Sequence, residues 1–360
     1  MVQDAGPEGR ADFGPANDRA GDPMDLILHI GAHRTGTTTF QQYLQRNVIR
    51  LGDAGVEAWT PDRTRQGLFA GLLGPDDDMS GPAALRRAER ATGLIRLRMD
   101  DLWGAGRQCL LVSEENMIGT PRGNLIGQAL YPGLTLRLER FLPAFEDGCI
   151  RIGIAIRSYE TFWASCLAYG LSRGHPPPSA RALGGLAALP RRWPDVIAEV
   201  ARLFPMAEVV VWPFEEYAAR PDAVLSHLTG RAAPGAGRAG RQCHNASPAP
   251  VKLRHLMTLR GTGGASGLLR VHEGRWMPFD DDQIAAMQSR YAADVARLKS
   301  VPPPGVRFCT DTNQTDADRW ADNHQTTPDR AREATGFRAP ARPWMPPEGG
   351  PELGTERCLA

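Results

Sequence analysis

The sequence predicts an α/β fold of three layers, with helices on both faces of a central, mainly parallel sheet of five strands. Short, nearly unbroken apolar runs recur along the chain, as strands buried on both faces require. Segments of helical spacing separate them, the alternation that builds a parallel sheet. The first run, residues 26–30, passes through a glycine turn, residues 31–36, into an amphipathic helix. Thr37-Thr38-Thr39 open that helix, and Phe40, Leu44, Val48 and Leu51 share one face.

The elements follow in order. Residues 1–24 lack periodicity and read as a flexible tail, so the folded domain is expected over 25–300. The first helix is expected to reach Leu51, and residues 56–59, closed by Pro61, form the second strand. Residues 62–82 are loop or short helix, and residues 83–103, rich in Ala, Leu and Arg, form a helix. The third strand, 109–113, ends in Glu114-Glu115-Asn116. A helix over 134–145 leads to the fourth strand, 150–156, then to Arg157-Ser158 and a helix over 159–171. Beyond His175-Pro-Pro-Pro178 come a helix over 193–204, a fifth strand over 208–212, and a short helix over 221–228 opened by proline. Residues 231–250 read as a basic flexible loop and 279–298 as an amphipathic helix. Residues 301–360, rich in Pro, Asp, Thr and Arg, read as a poorly ordered extension. Ligands of such sheets lie beyond the carboxyl ends of the strands. Residues 31–38, 113–116 and 157–158 are therefore expected along one rim.

Composition narrows the function classes. Apolar residues make up 42% of the 360, enough for a sizeable core, and the net charge is +1. No global field favours nucleic acid or an anionic membrane, so any anion site is local. The six cysteines have neither CxxC nor metal-ligand spacing and read as reduced thiols. No stretch approaches the ~18 apolar residues of a membrane span. The N-terminus carries no basic-then-apolar signal, so a cytoplasmic protein is expected.

Strand, glycine loop and helix N-terminus together form an anion site, because backbone N–H groups and the positive end of the helix dipole converge there. The spacing is Gly31-x-x-x-x-Gly36-Thr37-Thr38. A nucleoside-triphosphate loop carries Lys and then Ser or Thr after its second glycine. Here Thr37 holds the lysine position and the nearest cation is Arg34, inside the loop. The loop suits a phosphate but lacks the lysine that spans the β- and γ-phosphates. An atypical P-loop small-molecule kinase and a nucleotide-binding module without catalysis remain the alternatives.

The run from His29 to Gln41, His-Ile-Gly-Ala-His-Arg-Thr-Gly-Thr-Thr-Thr-Phe-Gln, resembles the 5′-phosphosulfate loop of sulfotransferases that use 3′-phosphoadenosine 5′-phosphosulfate (PAPS). It is most similar to the bacterial branch, with Arg34 where Lys is usual, which keeps the charge but exchanges a point donor for a planar fork. Arg157 followed eight residues later by Ser165 resembles the family's 3′-phosphate site. A guanidinium fork and a hydroxyl bind a phosphate monoester through charge-assisted hydrogen bonds. Taken alone, the pair also reads as a strand-end arginine bound to Glu160 and a surface serine.

The resemblance implies a P-loop fold and sulfuryl transfer from PAPS to a hydroxyl or amine, leaving 3′-phosphoadenosine 5′-phosphate (PAP) and calling for no metal. It assigns nucleotide binding to Gly31, Arg34, Thr35, Gly36, Thr37, Thr38, Arg157 and Ser165, with Arg241 a weaker member beside Asn245 and Ser247. Arg34 is expected to stabilise the charge growing on the leaving 5′-phosphate. Glu115 aligns with the family's acidic residue and is expected to be the base, its pKa raised by nearby negative charge. Glu114 and His33 are its competitors, while His29, inside the strand, reads as a core histidine. The acceptor is a small molecule, glycan or lipid; its identity and the oligomeric state are open.

Overall fold

The computed structural model describes residues 24–74, 81–145, 148–236, 247–260, 270–272 and 274–310. All five predicted runs become strands of one sheet: β1 (Asp25–His29), β2 (Val56–Trp59), β3 (Cys109–Ser113), β4 (Cys149–Ile156) and β5 (Glu208–Pro213). A hairpin of β6 (Val271–His272) and β7 (Arg275–Trp276) stands apart, and β8 (Val306–Phe308) joins the main sheet. The order is β2-β3-β1-β4-β5-β8 with every pairing parallel. The expected five strands are thus six, and the sixth lies past residue 300, in the stretch read as an extension. Its three residues are too few to give a periodic signal. The tail over 1–23 and residues 311–360 lie outside the described residues.

The sheet is buried on both faces, which is why its strands read as unbroken apolar runs. Leu26, Leu28, Leu110, Val112, Val209 and Val211 face one apolar cluster. Their neighbours Ile27, Leu111 and Val210 face a second cluster on the other side. Two predicted helices are interrupted. The first runs Thr37–Arg46 and resumes as Val48–Asp53. Asn47 breaks it, its side-chain amide donating to the Tyr43 carbonyl at 2.9 Å beside its own backbone N–H at 3.2 Å. The helix expected over 134–145 is Leu134–Glu139 and Leu142–Phe145. Its second half restarts beside Pro143, which has no N–H to extend the first. Helices Pro121–Gly127, Ala180–Ala187 and Pro250–Leu259 escaped the sequence reading, although Pro121, Pro250 and the Ser179 cap mark their starts.

From β1 the chain builds towards β2 and β3 on one side, and from β4 onward it builds on the other. The sheet therefore switches direction beside β1, where such folds open a crevice at the carboxyl edge. The loop after β1 lies there between the segments that follow β3 and β4. Among the described residues, no helix is long and apolar enough to cross a membrane.

Candidate functional site

A crevice opens at that switch point. Gly36, Thr37 and Thr38 line it from the loop and first helical turn, Arg157 and Ser165 from the segment after β4, and Arg34 from within the loop. Gly36 takes φ 80°, a left-handed conformation open to glycine at little cost, and turns the chain into helix Thr37–Arg46. No side chain caps that helix, so its N-terminus presents backbone to the crevice. Two members of the expected set do not line it. Thr35 donates its hydroxyl to the Ala32 carbonyl at 2.6 Å and stiffens the loop instead. Gly31, at φ 119°, lies against Glu115: a Cβ there would come within 3.3 Å of that residue's Cβ. Arg241 and Asn245 lie outside the described residues.

The arginines define the charged wall. Arg157 follows β4 and donates from Nη1 to the Arg34 carbonyl at 2.5 Å, from Nε to Thr161 Oγ1 at 3.0 Å, and lies over the Phe214 ring. The Trp193 indole fixes its backbone by donating to the Arg157 carbonyl at 2.7 Å. Glu160 is not its partner, since that carboxylate accepts from Ser158 Oγ at 2.5 Å. Arg34 departs from expectation. From a left-handed backbone, φ 62°, its Nε donates to Ser165 Oγ at 2.8 Å and an Nη reaches Ser247 Oγ at 3.4 Å. Ser165 and Ser247 lie 2.7 Å apart. Both guanidinium groups and the two serine hydroxyls therefore line the same crevice as the helix N-terminus. Burial, joined by the positive charges of Arg275 and Arg34, lowers the Arg157 pKa to about 10 against the pull of Glu215. Positive charge crowded in this way favours an anion.

The segment after β3 separates the two glutamates. Glu114 is fully buried and saturated: Thr64 Oγ1 donates to Oε2 at 2.6 Å, Arg65 grips both oxygens at 2.7 and 3.0 Å, and the Asn116 N–H donates at 3.0 Å. It has no lone pair left for a substrate. Glu115 holds Gln41 Nε2 at 2.8 Å on one oxygen and Arg65 Nη2 at 2.9 Å on the other. The expected rise in its pKa is overturned. Burial works in that direction, but His33 and Arg65, helped by the Gln41 hydrogen bond, hold the carboxyl below its ordinary value. His33 is buried and bonded at both ring nitrogens, to Tyr131 Oη at 3.2 Å and Asn116 Oδ1 at 3.1 Å. The Asn116 oxygen accepts, so Nε2 carries the proton, and the Tyr131 hydroxyl occupies the lone pair of Nδ1. Burial holds the ring neutral at pH 7. His33 thus braces the loop with no free lone pair, and Glu115 is the carboxylate with chemistry still open to it.

His29 is a core residue, as its place in the strand implies. Its Nδ1 meets Ser113 Oγ at 2.8 Å and its ring packs between Phe40 and Trp212. Burial drops its pKa to about 4, against smaller opposing effects of Glu115 and the Gly31 backbone. A depressed histidine pKa means the unfolded chain binds the proton first, so stability falls as pH drops from 6.5 towards 4. His29 alone contributes roughly 3 kcal/mol to that loss at 1.36 kcal/mol per pKa unit. Thermal melts of the wild type are expected to fall more steeply through this window than those of His29→Gln; parallel curves would contradict the assignment.

Several site residues carry no sequence signal strong enough to find them. Arg65 reaches Glu114 and Glu115 across 49 and 50 residues. Arg275 and Trp276 line the crevice from a two-residue strand, marked only by the Gly274 turn. Gln41 lay inside the quoted motif, but only the fold brings it to Glu115. Among the described residues, no group of three or more His, Cys, Asp or Glu side chains is placed to hold a metal ion. Fold and site together define a parallel α/β protein with an arginine-lined crevice at the carboxyl edge of its sheet. No family model, curated protein or solved structure matches the chain.

Proposed function

We propose that this chain is a sulfotransferase that takes its sulfuryl group from PAPS. The observation that carries the reading is one crevice lined both by an uncapped helix N-terminus with Thr37 and Thr38 and by Arg157, Arg34, Ser165 and Ser247. A nucleotide phosphorylated on both its 5′ and 3′ positions fits such a pair of anion sites, one phosphate at each. Phe214 and Trp276 supply aromatic wall for the base and sugar between them. Arg34, expected at the leaving 5′-phosphate, is reassigned in this reading to the 3′ end. The growing charge on the leaving oxygen then falls to the loop backbone, the helix N-terminus and the threonine hydroxyls.

In the reaction, the acceptor oxygen forms a bond to sulfur as the bond from sulfur to the bridging phosphate oxygen breaks. The hydroxyl proton passes to Glu115, and PAP is released. Transfers of this kind depend on position and charge stabilisation. We also place the protein in the cytoplasm, a reading supported by the buried free thiols of Cys109, Cys149, Cys166 and Cys309.

Calorimetric titration of the full chain with PAP and with adenosine 5′-phosphate tests the donor assignment. PAP is expected to bind at least ~100-fold more tightly, the ratio that one charge-assisted contact to the 3′-phosphate supplies. Equal affinities, or none, would reject it; magnesium-dependent turnover of ATP would favour a kinase instead.

A further inference from the structure

A second crevice shares no lining residue with the first. Arg65, the partner of Glu114 and Glu115, lines it, as do Tyr131 and Asn116, the two partners of His33. One step of chain, from His33 to Arg34, leads from the wall of one crevice to the wall of the other. Glu115 is held by Arg65 from the second crevice and by Gln41 from the first helix. Tyr131 keeps this wall in place from a left-handed backbone, φ 48°, an uncommon conformation for an aromatic residue. Phe69, Leu73 and Ile118 give the second crevice an apolar side.

Its polar groups divide sharply by type. Three of its acceptors are already used: the carbonyls of Gly74 and Asn116 take Arg137 at 2.7 and 2.9 Å, and Thr120 Oγ1 takes the Gly123 N–H at 3.0 Å. Side-chain donors are left over. Asn124 is 1% exposed, its Oδ1 accepts from the Tyr131 N–H at 3.0 Å, and its Nδ2 has no partner among the described residues. Asn116 spends Oδ1 on His33, which leaves its Nδ2 as a further donor beside Glu115. Arg122 stands exposed at the rim with no carboxylate partner among the described residues. No Asp or Glu among those residues lines the crevice. A buried donor without a partner is costly, and a ligand that accepts hydrogen bonds removes that cost.

We propose that this second crevice binds the acceptor, and that the acceptor is an acid: a hydroxyl compound with an apolar or aromatic body and an anionic group held by Arg122 and Asn124. The inference rests on the sulfotransferase reading for the word acceptor; the preference for an acid rests on the crevice alone. An unpaired guanidinium and an amide donor recognise a carboxylate through charge-assisted bonds, while Phe69 and Ile118 cover the hydrocarbon.

Three phenols of similar size and different charge test it on the full chain, without nucleotide: 3-(4-hydroxyphenyl)propanoate, 4-ethylphenol and tyramine. Ligand-observed NMR titration is expected to rank the acid first, by about 10-fold over the neutral phenol and more over the amine. Arg122→Glu, at an exposed position, should invert the order of acid and amine while leaving PAP affinity unchanged. Asn124→Asp, which turns the buried donor into an acceptor, should weaken the acid alone. Equal binding of the three phenols, no binding of any, or an order that survives Arg122→Glu would overturn the proposal. Binding of the acid with no affinity for PAP would instead remove the donor assignment and leave the acid site standing.

Discussion

Arg157→Ala is expected to lower the affinity for PAP by about 100-fold while changing that for adenosine 5′-phosphate by only a few-fold. The asymmetry is the point of the measurement. Arg157 has two structural tasks, the bond to the Arg34 carbonyl and the bond to Thr161, and losing them loosens the loop for every nucleotide. In the proposed reading its charge in the crevice matters most when a 3′-phosphate is present. Arg157→Lys keeps the charge but cannot hold the carbonyl, the hydroxyl and a phosphate together, so it should recover part of the preference. Arg34→Ala should act in the same direction, because the Arg34 guanidinium reaches Ser165 and Ser247. Equal losses for both nucleotides would reduce Arg157 to a structural residue and take the second anion site away.

What the sequence disclosed, and what it concealed, follows from the range of each signal. Strand positions were legible because burial on both faces leaves a continuous apolar run, and β3, with all five residues buried, matches its expected bounds. Arg157 and Ser165 were legible because a strand end and two helical turns fix their separation locally. β8 was not, since three residues paired to β5 have no pattern of their own. Arg65 was hidden for a different reason: it lies in a five-residue π-helical segment with kinked backbone at Gln66 and Gly67, and only tertiary contact reveals its two carboxylates. The roles of Glu114 and Glu115 could not be separated at all. Both carboxylates converge on Arg65 Nη2, and which of them is sealed depends on Thr64, fifty residues upstream of Glu114. Whether His33 is a base or a brace of the loop was open in the sequence because Tyr131 and Asn116, which occupy both ring nitrogens, come from 98 and 83 residues away.

Glu115→Gln is expected to reduce turnover by about 10³-fold, within the range for loss of a positioned general base, with PAP affinity retained. Glutamine keeps the size of the side chain and accepts through its one carbonyl oxygen from either Arg65 or Gln41, so one of the two contacts is kept while the proton acceptor is gone. Glu114→Gln should read differently. It leaves a buried, saturated position one charge short, and the melt should show a loss of about 2 kcal/mol, below the 3–5 kcal/mol of fully buried pairs because Arg65 is half in water. The pH profile then separates proton transfer from mere packing. With its pKa held below the ordinary carboxylate value, Glu115 is ionised across the neutral range, so turnover should stay level as pH falls until the Glu115 carboxylate is protonated. Arg65 is the permanent charge that holds it down. Arg65→Met should raise that pKa and move the acid limb of turnover upward, towards neutral pH, by an amount that Glu114→Gln does not reproduce. An acid limb that stays in place in Arg65→Met, or a Glu115→Gln protein with full turnover, would pass the role of base to a group outside this cluster.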